Sequence, residues 1–283
     1  MNAVQAIVFG FLRPTLPRFK AKAHPAPGVH PRQFDSGAAA EIGWRRYPQV
    51  AWPRPRVNRR DPAIRLDRVT PGMRFHFAYC EQRLPYAPGA SPFHIKGEYY
   101  RQTADVVAYH EKKSQGALIP ILEREGLREF VGQPFLASAF YDVMPMPRIV
   151  MAVAEARGRD VHELTSRMGQ AAVEAQMKGV YARLLNQITP KNFTRRFDTV
   201  INLFYDFAPL TVTASDAGAR VVRRDMPLGI GEWWAVVTVP FVVVPLTAGG
   251  ARDVTVEWRL EPSGEQRGVP VGAAILDVRW AAD

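Results

Sequence analysis

Residues 233–251 read WWAVVTVPFVVVPLTAGGA, and no charged side chain interrupts them. The fold depends on whether this stretch is a membrane span, a core strand or a core helix. A span needs about 20 predominantly apolar residues. The dense part, Trp233 to Leu246, has only 14 before Thr247, Gly249 and Gly250 follow. That length suits a buried element, with no transmembrane segment. The abundance of Val favours a strand. Pro240 and Pro245 argue against a central strand, because each removes a ladder donor. They also argue against a straight helix, because each removes a backbone hydrogen bond. Composition alone leaves helix and strand open. The flanks point to a helix: Asp225-Met226-Pro227-Leu228-Gly229 reads as a start and Gly249-Gly250 as a C-cap. The expectation is a Pro-kinked, buried helix.

On either side lie strand patterns. LTVTASDAGARVVRRDMP (210–227) holds two short runs joined by Asp216-Ala217-Gly218, a hairpin signal. VTVEWRLEPSGEQRGVPVGAAILDVRW (254–280) holds two more around Pro262-Ser263-Gly264, with Val254, Val256 and Trp258 alternating with polar residues. Upstream the pattern is helical, in KGEYYRQTADVVAYHEKK (96–113), ALIPILEREG (117–126) and PRIVMAVAEARG (147–158). QPFLASAFYDVMPMP (133–147) reads as an apolar connector whose prolines open the next helix. Asp160 with Glu163 makes a capping-box arrangement before the longest helical pattern, 161–188. Gly169, Ala171, Ala172, Ala175 and Gly179 would let a neighbour pack closely on it. A further helix is expected from Pro190 to Asp206, with Phe193, Phe197, Ile201 and Phe204 on its core face. The fold class is therefore α+β: a helical layer followed by an antiparallel sheet of two hairpins around a buried apolar helix.

The chain of 283 residues divides by charge. Residues 1–92 hold 15 Lys and Arg against 5 Asp and Glu, which accounts for the whole net charge of +10. They also carry 13 of the 24 prolines, whereas residues 93–283 hold 22 charges of each sign. The division is a basic, Pro/Arg-rich segment (1–92) and an α+β domain (93–283). In RRYPQVAWPRPRVNRRDP (45–62), Arg45, Arg46, Arg54, Arg56, Arg59 and Arg60 are interleaved with Tyr47 and Trp52. Such a mixture can neutralise phosphates and stack on bases, or contact anionic lipid heads. No helix-turn-helix or RNP-type pattern accompanies it. The same composition fits a disordered, solvated tail. It also fits upstream GC-rich DNA translated from a start codon assigned too early, with Met73 or a later residue as the genuine start. MNAVQAIVFGFL (1–12) lacks the basic start and small-residue cleavage site of a secretory signal.

Cys80 is the lone cysteine, which rules out an internal disulfide and fits a reducing cytoplasm. The six histidines are scattered without zinc spacing, so no metal site is expected. His110, beside Glu111, has the chemistry of an axial ligand or general base, but a lone His at a helix end usually faces solvent. Cys80, beside Glu81, has no His fixed near it in sequence, which suits an inert thiol. Tyr141, Met144 and Met146, and the pair Trp233-Trp234, are candidates to line a ligand pocket, since Met adapts to varied shapes and aromatic rings wall apolar sites. Ordinary core packing accounts for the same residues. No phosphate-binding glycine loop, nucleophile elbow or H-E-x-x-H pattern occurs. No catalytic residue or cofactor is expected. The expected function is a non-enzymatic small-molecule-binding or regulatory domain, with nucleic-acid or anionic-surface binding by the basic segment as the alternative.

Residues 95–280 resemble the small-molecule-binding superfamily that includes the V4R domain and Bet3-like trafficking proteins. More narrowly, they resemble the myxobacterial paralogous family known as DUF2378. The resemblance rests on the KGEYYRQ opening, FLASAFYD, the helix ending GVYARLL, TPKNFTRRFD, the GGARDVTVEW join and the closing LDVRW. It implies a helical layer over an antiparallel sheet, a homodimer, and an apolar cavity for a small hydrophobic ligand. The related haem–nitric oxide sensors carry a Tyr-x-Ser-x-Arg motif, which this chain lacks.

Overall fold

The structure, a computed structural model, describes residue 80 and residues 85–179, 181–215 and 218–281. Arg45, Arg46, Arg54, Arg56, Arg59 and Arg60 and the candidate start at Met73 lie outside the described residues. The helical part comes first: β1 (His94–Lys96), α1 (Gly97–Lys113), α2 (Leu118–Arg124), α3 (Arg128–Gly132), β2 (Phe140–Asp142), α4 (Pro145–Arg157), α5 (Val161–Gln176), α6 (Ala182–Leu185) and α7 (Phe193–Ile201). The sheet part follows as β3 (Leu210–Ser215), β4 (Gly218–Pro227), α8 (Leu228–Ala248), β5 (Arg252–Gln266) and β6 (Val269–Ala281). This is the expected α+β order.

The decisive stretch is helix α8, and it runs unbroken through Pro240 and Pro245. Its 21 residues are long enough to cross a bilayer. Burial, rather than the short length expected from sequence, makes it a core helix: 89% of its most apolar 18-residue window is covered by the rest of the protein. It is apolar all round because it is covered on two sides, by α5 on one and by β4, β5 and β6 on the other. A Cβ added at Gly169 of α5 would lie 3.0 Å from the Val237 Cα and 3.1 Å from its carbonyl oxygen, so glycine sets how closely the two helices approach. The helix ends in a Schellman motif. Gly250, at φ +99, directs the Ala251 N–H to the Leu246 carbonyl (2.9 Å), and its own N–H bonds the Thr247 carbonyl (3.1 Å).

The other caps follow from sequence. The Asp160 carboxylate accepts the Glu163 N–H at 2.7 Å and starts α5. Gly158, with φ 55, closes α4. The single helix expected over 161–188 is instead broken: α5 stops at Gln176 and only the short α6 follows. Gly179 lowers helix propensity there, and the Asn186 side chain caps the free Met177 carbonyl at 3.1 Å. The helix expected over 190–206 shortens to α7, although Phe193, Phe197, Ile201 and Phe204 are all buried. The connector at 133–147 contains β2, which pairs antiparallel with β1. Asp142 anchors it: its carboxylate accepts the N–H groups of Gly89, Ser91 and Met144 and the Ser91 hydroxyl.

The main sheet has the order β3-β4-β6-β5, with every pairing antiparallel. Helix α8 therefore carries the chain from β4 to β5 past a position that β6 fills later. The hairpin β5–β6 does not turn at Pro262-Ser263-Gly264. That tripeptide is a bulge within β5, and the chain reverses at Arg267-Gly268. Both turn residues have positive φ, 52 and 73, which is what a two-residue turn between twisted strands requires.

Candidate functional site

Strand β4 sets up the site. Alternation from Ala219 and Val221 puts Arg223 and then Asp225 on the buried face. A bulge between Arg223 and Met226, with Asp225 at φ 54, turns Asp225 outward and returns Met226 to the core. Arg223 therefore stays as the one charged side chain of this strand that points inward, and it is 0% exposed.

Three elements besides β4 meet at its guanidinium. Tyr205 and Phe207 come from the segment after α7, Trp234 from α8 and Tyr99 from α1. The guanidinium carbon lies 4.2 Å from the Tyr205 ring centroid, 5.6 Å from Trp234 and 6.0 Å from Phe207. Nη1 donates to the Phe207 carbonyl at 3.2 Å. Nε and Nη2 are buried and have no hydrogen-bond partner among the described residues, and the same holds for the indole Nε1 of Trp234. Nε and Nη2 form the side edge of the guanidinium, the edge on which a carboxylate seats two parallel hydrogen bonds.

Burial pushes Arg223 down to about 10, only partly offset by Tyr205 and Tyr99. Burial likewise pushes the Tyr205 phenol up to about 12, with Arg223 opposing it, and holds Tyr99 well above the ordinary range. Both phenols therefore stay neutral at physiological pH and leave the arginine charge uncompensated. The groups that face this guanidinium include no carboxylate and no histidine among the described residues. The surrounding wall is aromatic: Tyr99 packs edge-on against Phe204 at 5.2 Å and tilts over Phe241 at 6.1 Å.

The residues singled out from sequence divide between this interior and another part of the core. Trp234 belongs to it, beside Arg223. Trp233 is buried on the same helix. Tyr141 lies in a different aromatic group, 4.9 Å from Phe135 and 6.2 Å from Tyr100, and its hydroxyl accepts the Leu136 N–H. Met146 is buried and its sulfur accepts the Thr103 hydroxyl at 3.4 Å, while Met144 is buried at the start of α4. Tyr99 and Tyr100 are adjacent on α1 but serve these two groups separately. Cys80 is buried, with its thiol donating to the Gly229 carbonyl at 2.9 Å. His110 is half-buried at the end of α1, and burial, then Arg157 and Arg159, pushes it below its ordinary value. Sequence reasoning passed over Arg223. The available signal was its parity with Ala219 and Val221, a charge at an inward position of a hairpin strand.

No family model matches the chain, and no curated protein matches it. Among solved structures it is similar to H-NOX domains. A mutant H-NOX from T. Tengcongensis is 12% identical, with 66% of this chain and 97% of that one covered and a TM-score of 0.46. The Fe(II) unliganded H-NOX protein from K. algicida is 11% identical, with coverages of 67% and 98% and a TM-score of 0.44. An oxygen-binding H-NOX domain related to soluble guanylate cyclases is 13% identical, with coverages of 65% and 92% and a TM-score of 0.41. Likeness at this level leaves function to be argued from the residues of this chain.

Proposed function

We propose that the domain is a binding or sensory module, not an enzyme. It takes a small, largely apolar molecule with an acidic group between α8 and the first hairpin. The observation that carries this reading is the fully buried Arg223, whose Nε and Nη2 edge has no partner beside an equally unpartnered Trp234 indole. A desolvated ion without a counter-charge costs several kcal/mol, and a carboxylate on that edge repays it through two charge-assisted hydrogen bonds. The aromatic wall of Tyr99, Tyr205 and Phe207 suits the apolar body. The resemblance of residues 95–280 to a superfamily that holds hydrophobic ligands supports the same reading. Arg223 is wholly covered, so entry requires the helical layer and the sheet to part.

Native mass spectrometry of the full chain with decanoic acid and with decanol tests the proposal. The acid is expected to be retained in preference to the alcohol, and Arg223→Met to abolish that preference. Equal retention of acid and alcohol, or an unchanged preference in the variant, would refute it. In that case the unpaired donors are met by something other than an acidic ligand.

A further inference from the structure

A second set of unpaired guanidinium groups lies outside this interior. A cavity of about 250 Å³ opens between α6 and α7, lined by Leu184, Arg195, Arg196, Thr199 and Val200. Arg195 is exposed, and Arg196 is half-buried with its Nε covered and without a hydrogen-bond partner. Neither arginine makes an ion pair among the described residues. The nearest carboxylate in sequence, Asp198, turns back on its own helix and accepts the Thr199 N–H at 2.5 Å and the Thr199 hydroxyl at 3.2 Å. Other surface arginines do find carboxylates: Arg220 and Arg259 both grip Asp277, and Arg124 holds Glu155. The groove is thus a concave site with two uncompensated cations and an apolar floor from Leu184 and Val200.

The geometry also selects the anion. Consecutive residues on a helix leave it about 100° apart, so two forks that line one groove approach its contents from different directions. A planar carboxylate is saturated by one fork. A tetrahedral phosphate presents three oxygens and close to two charges, enough for both. We infer that this groove binds a phosphate monoester through Arg195 and Arg196, with Leu184 and Val200 covering its carbon skeleton. The chemistry is the same for a soluble sugar or alcohol phosphate and for a phosphomonoester lipid headgroup.

The test uses the full chain and a local readout, because the excess of arginine at 45–62 would add anion attraction of its own. Glycerol 3-phosphate is titrated while the Leu184 methyl and Thr199 amide resonances are followed by NMR. Vesicles of phosphatidylcholine with and without phosphatidic acid are tested in parallel by sedimentation. Saturable shifts at Leu184 and Thr199, weakened about tenfold by Arg195→Gln and by Arg196→Gln, are the expected result. Arg195 is exposed, so its variant keeps the fold, and a melting curve verifies this. Binding of glycerol 3-phosphate assigns a soluble ligand. Binding only to phosphatidic acid vesicles, lost in Arg195→Gln, assigns the lipid. Shifts confined to other residues, or affinity within twofold of wild type in both variants, would overturn the inference.

Discussion

Replacing Arg223 by methionine should leave the protein as stable as it is now, or more stable. The side chain is entirely buried, and burial lowers its pKa from the ordinary guanidinium range to about 10. At 1.36 kcal/mol per pH unit, that fall corresponds to about 3 kcal/mol lost by keeping the group charged in the folded state. Stacking on Tyr205 at 4.2 Å and Trp234 at 5.6 Å returns about 1–2 kcal/mol. The bond to the Phe207 carbonyl adds about 1 kcal/mol. The terms nearly cancel, and methionine fills most of the same volume without the charge. Urea unfolding at pH 7 should therefore place Arg223→Met between no change and about 2 kcal/mol above wild type, at constant m-value. Arg223→Ala should lose about 2–5 kcal/mol, because it leaves a cavity. A base with a depressed folded-state pKa destabilises the fold whenever it is charged. The penalty is fully present below about 10 and shrinks only above it, so the gap between wild type and Arg223→Met should be flat from about pH 6 to 9. A loss of more than about 2 kcal/mol in the methionine variant would refute the reasoning. The rings and the Phe207 carbonyl would then satisfy the guanidinium, making it a structural strut.

Other perturbations read different parts of the fold. Gly169→Ala gains about 1 kcal/mol of helix propensity but forces a Cβ to 3.0 Å from Val237, so a net loss of about 1 kcal/mol is expected in urea, rising to about 3 for Gly169→Val. Asp142→Asn keeps the shape but puts an amide N–H₂ where N–H groups of Gly89, Ser91 or Met144 now donate. A loss of about 2–4 kcal/mol in thermal or urea melts is expected. At Asp277, burial pushes the carboxyl up, but the hydrogen bonds and charges of Arg220 and Arg259 outweigh it and leave the pKa lowered. Its contribution is present above the ordinary carboxylate range and lost as pH falls through the lower folded value. The stability gap between wild type and Asp277→Asn should therefore narrow as the pH falls below the ordinary carboxylate range, and a gap unchanged on acidification would contradict this account.

The elements with strong local signals were legible in the sequence. The Asp160 cap, the Pro145 start of α4, the Gly158 stop and the Gly249-Gly250 end of α8 are all chemistry of one or two residues. Each appears where its side chain or missing Cβ requires it. The identity of α8 was harder, because its even apolar coverage comes from having neighbours on two sides, which removes the helical periodicity. Strands β1 and β2 were illegible, since three residues carry no pattern, and the ties from Asp142 of β2 to Ser91 and Gly89, just ahead of β1, span 51 and 53 residues of sequence. The β5–β6 turn was misplaced because Pro-Ser-Gly is the stronger turn signal by composition. Register placed the reversal at Arg267-Gly268 instead. Of the site, Trp234 was singled out and Arg223 was not. A charge at an inward strand position stands out only when strand parity is followed through the hairpin, and the bulge at Asp225 ends that parity two residues later.

Synthesis order gives the sheet topology a further meaning. Strand β6 leaves the ribosome after β4, α8 and β5, yet it lies between β4 and β5. Until it arrives, β4 and β5 each present an unpaired edge, and the underside of α8 lacks the middle of the surface that covers it. The nascent chain therefore carries a gap flanked by two open strand edges, and its closure depends on contacts far apart in sequence. Folding should be slow and concerted at this last step. A chain shortened before Val269 loses its central strand, and the edges left behind are the ones through which such fragments would join one another.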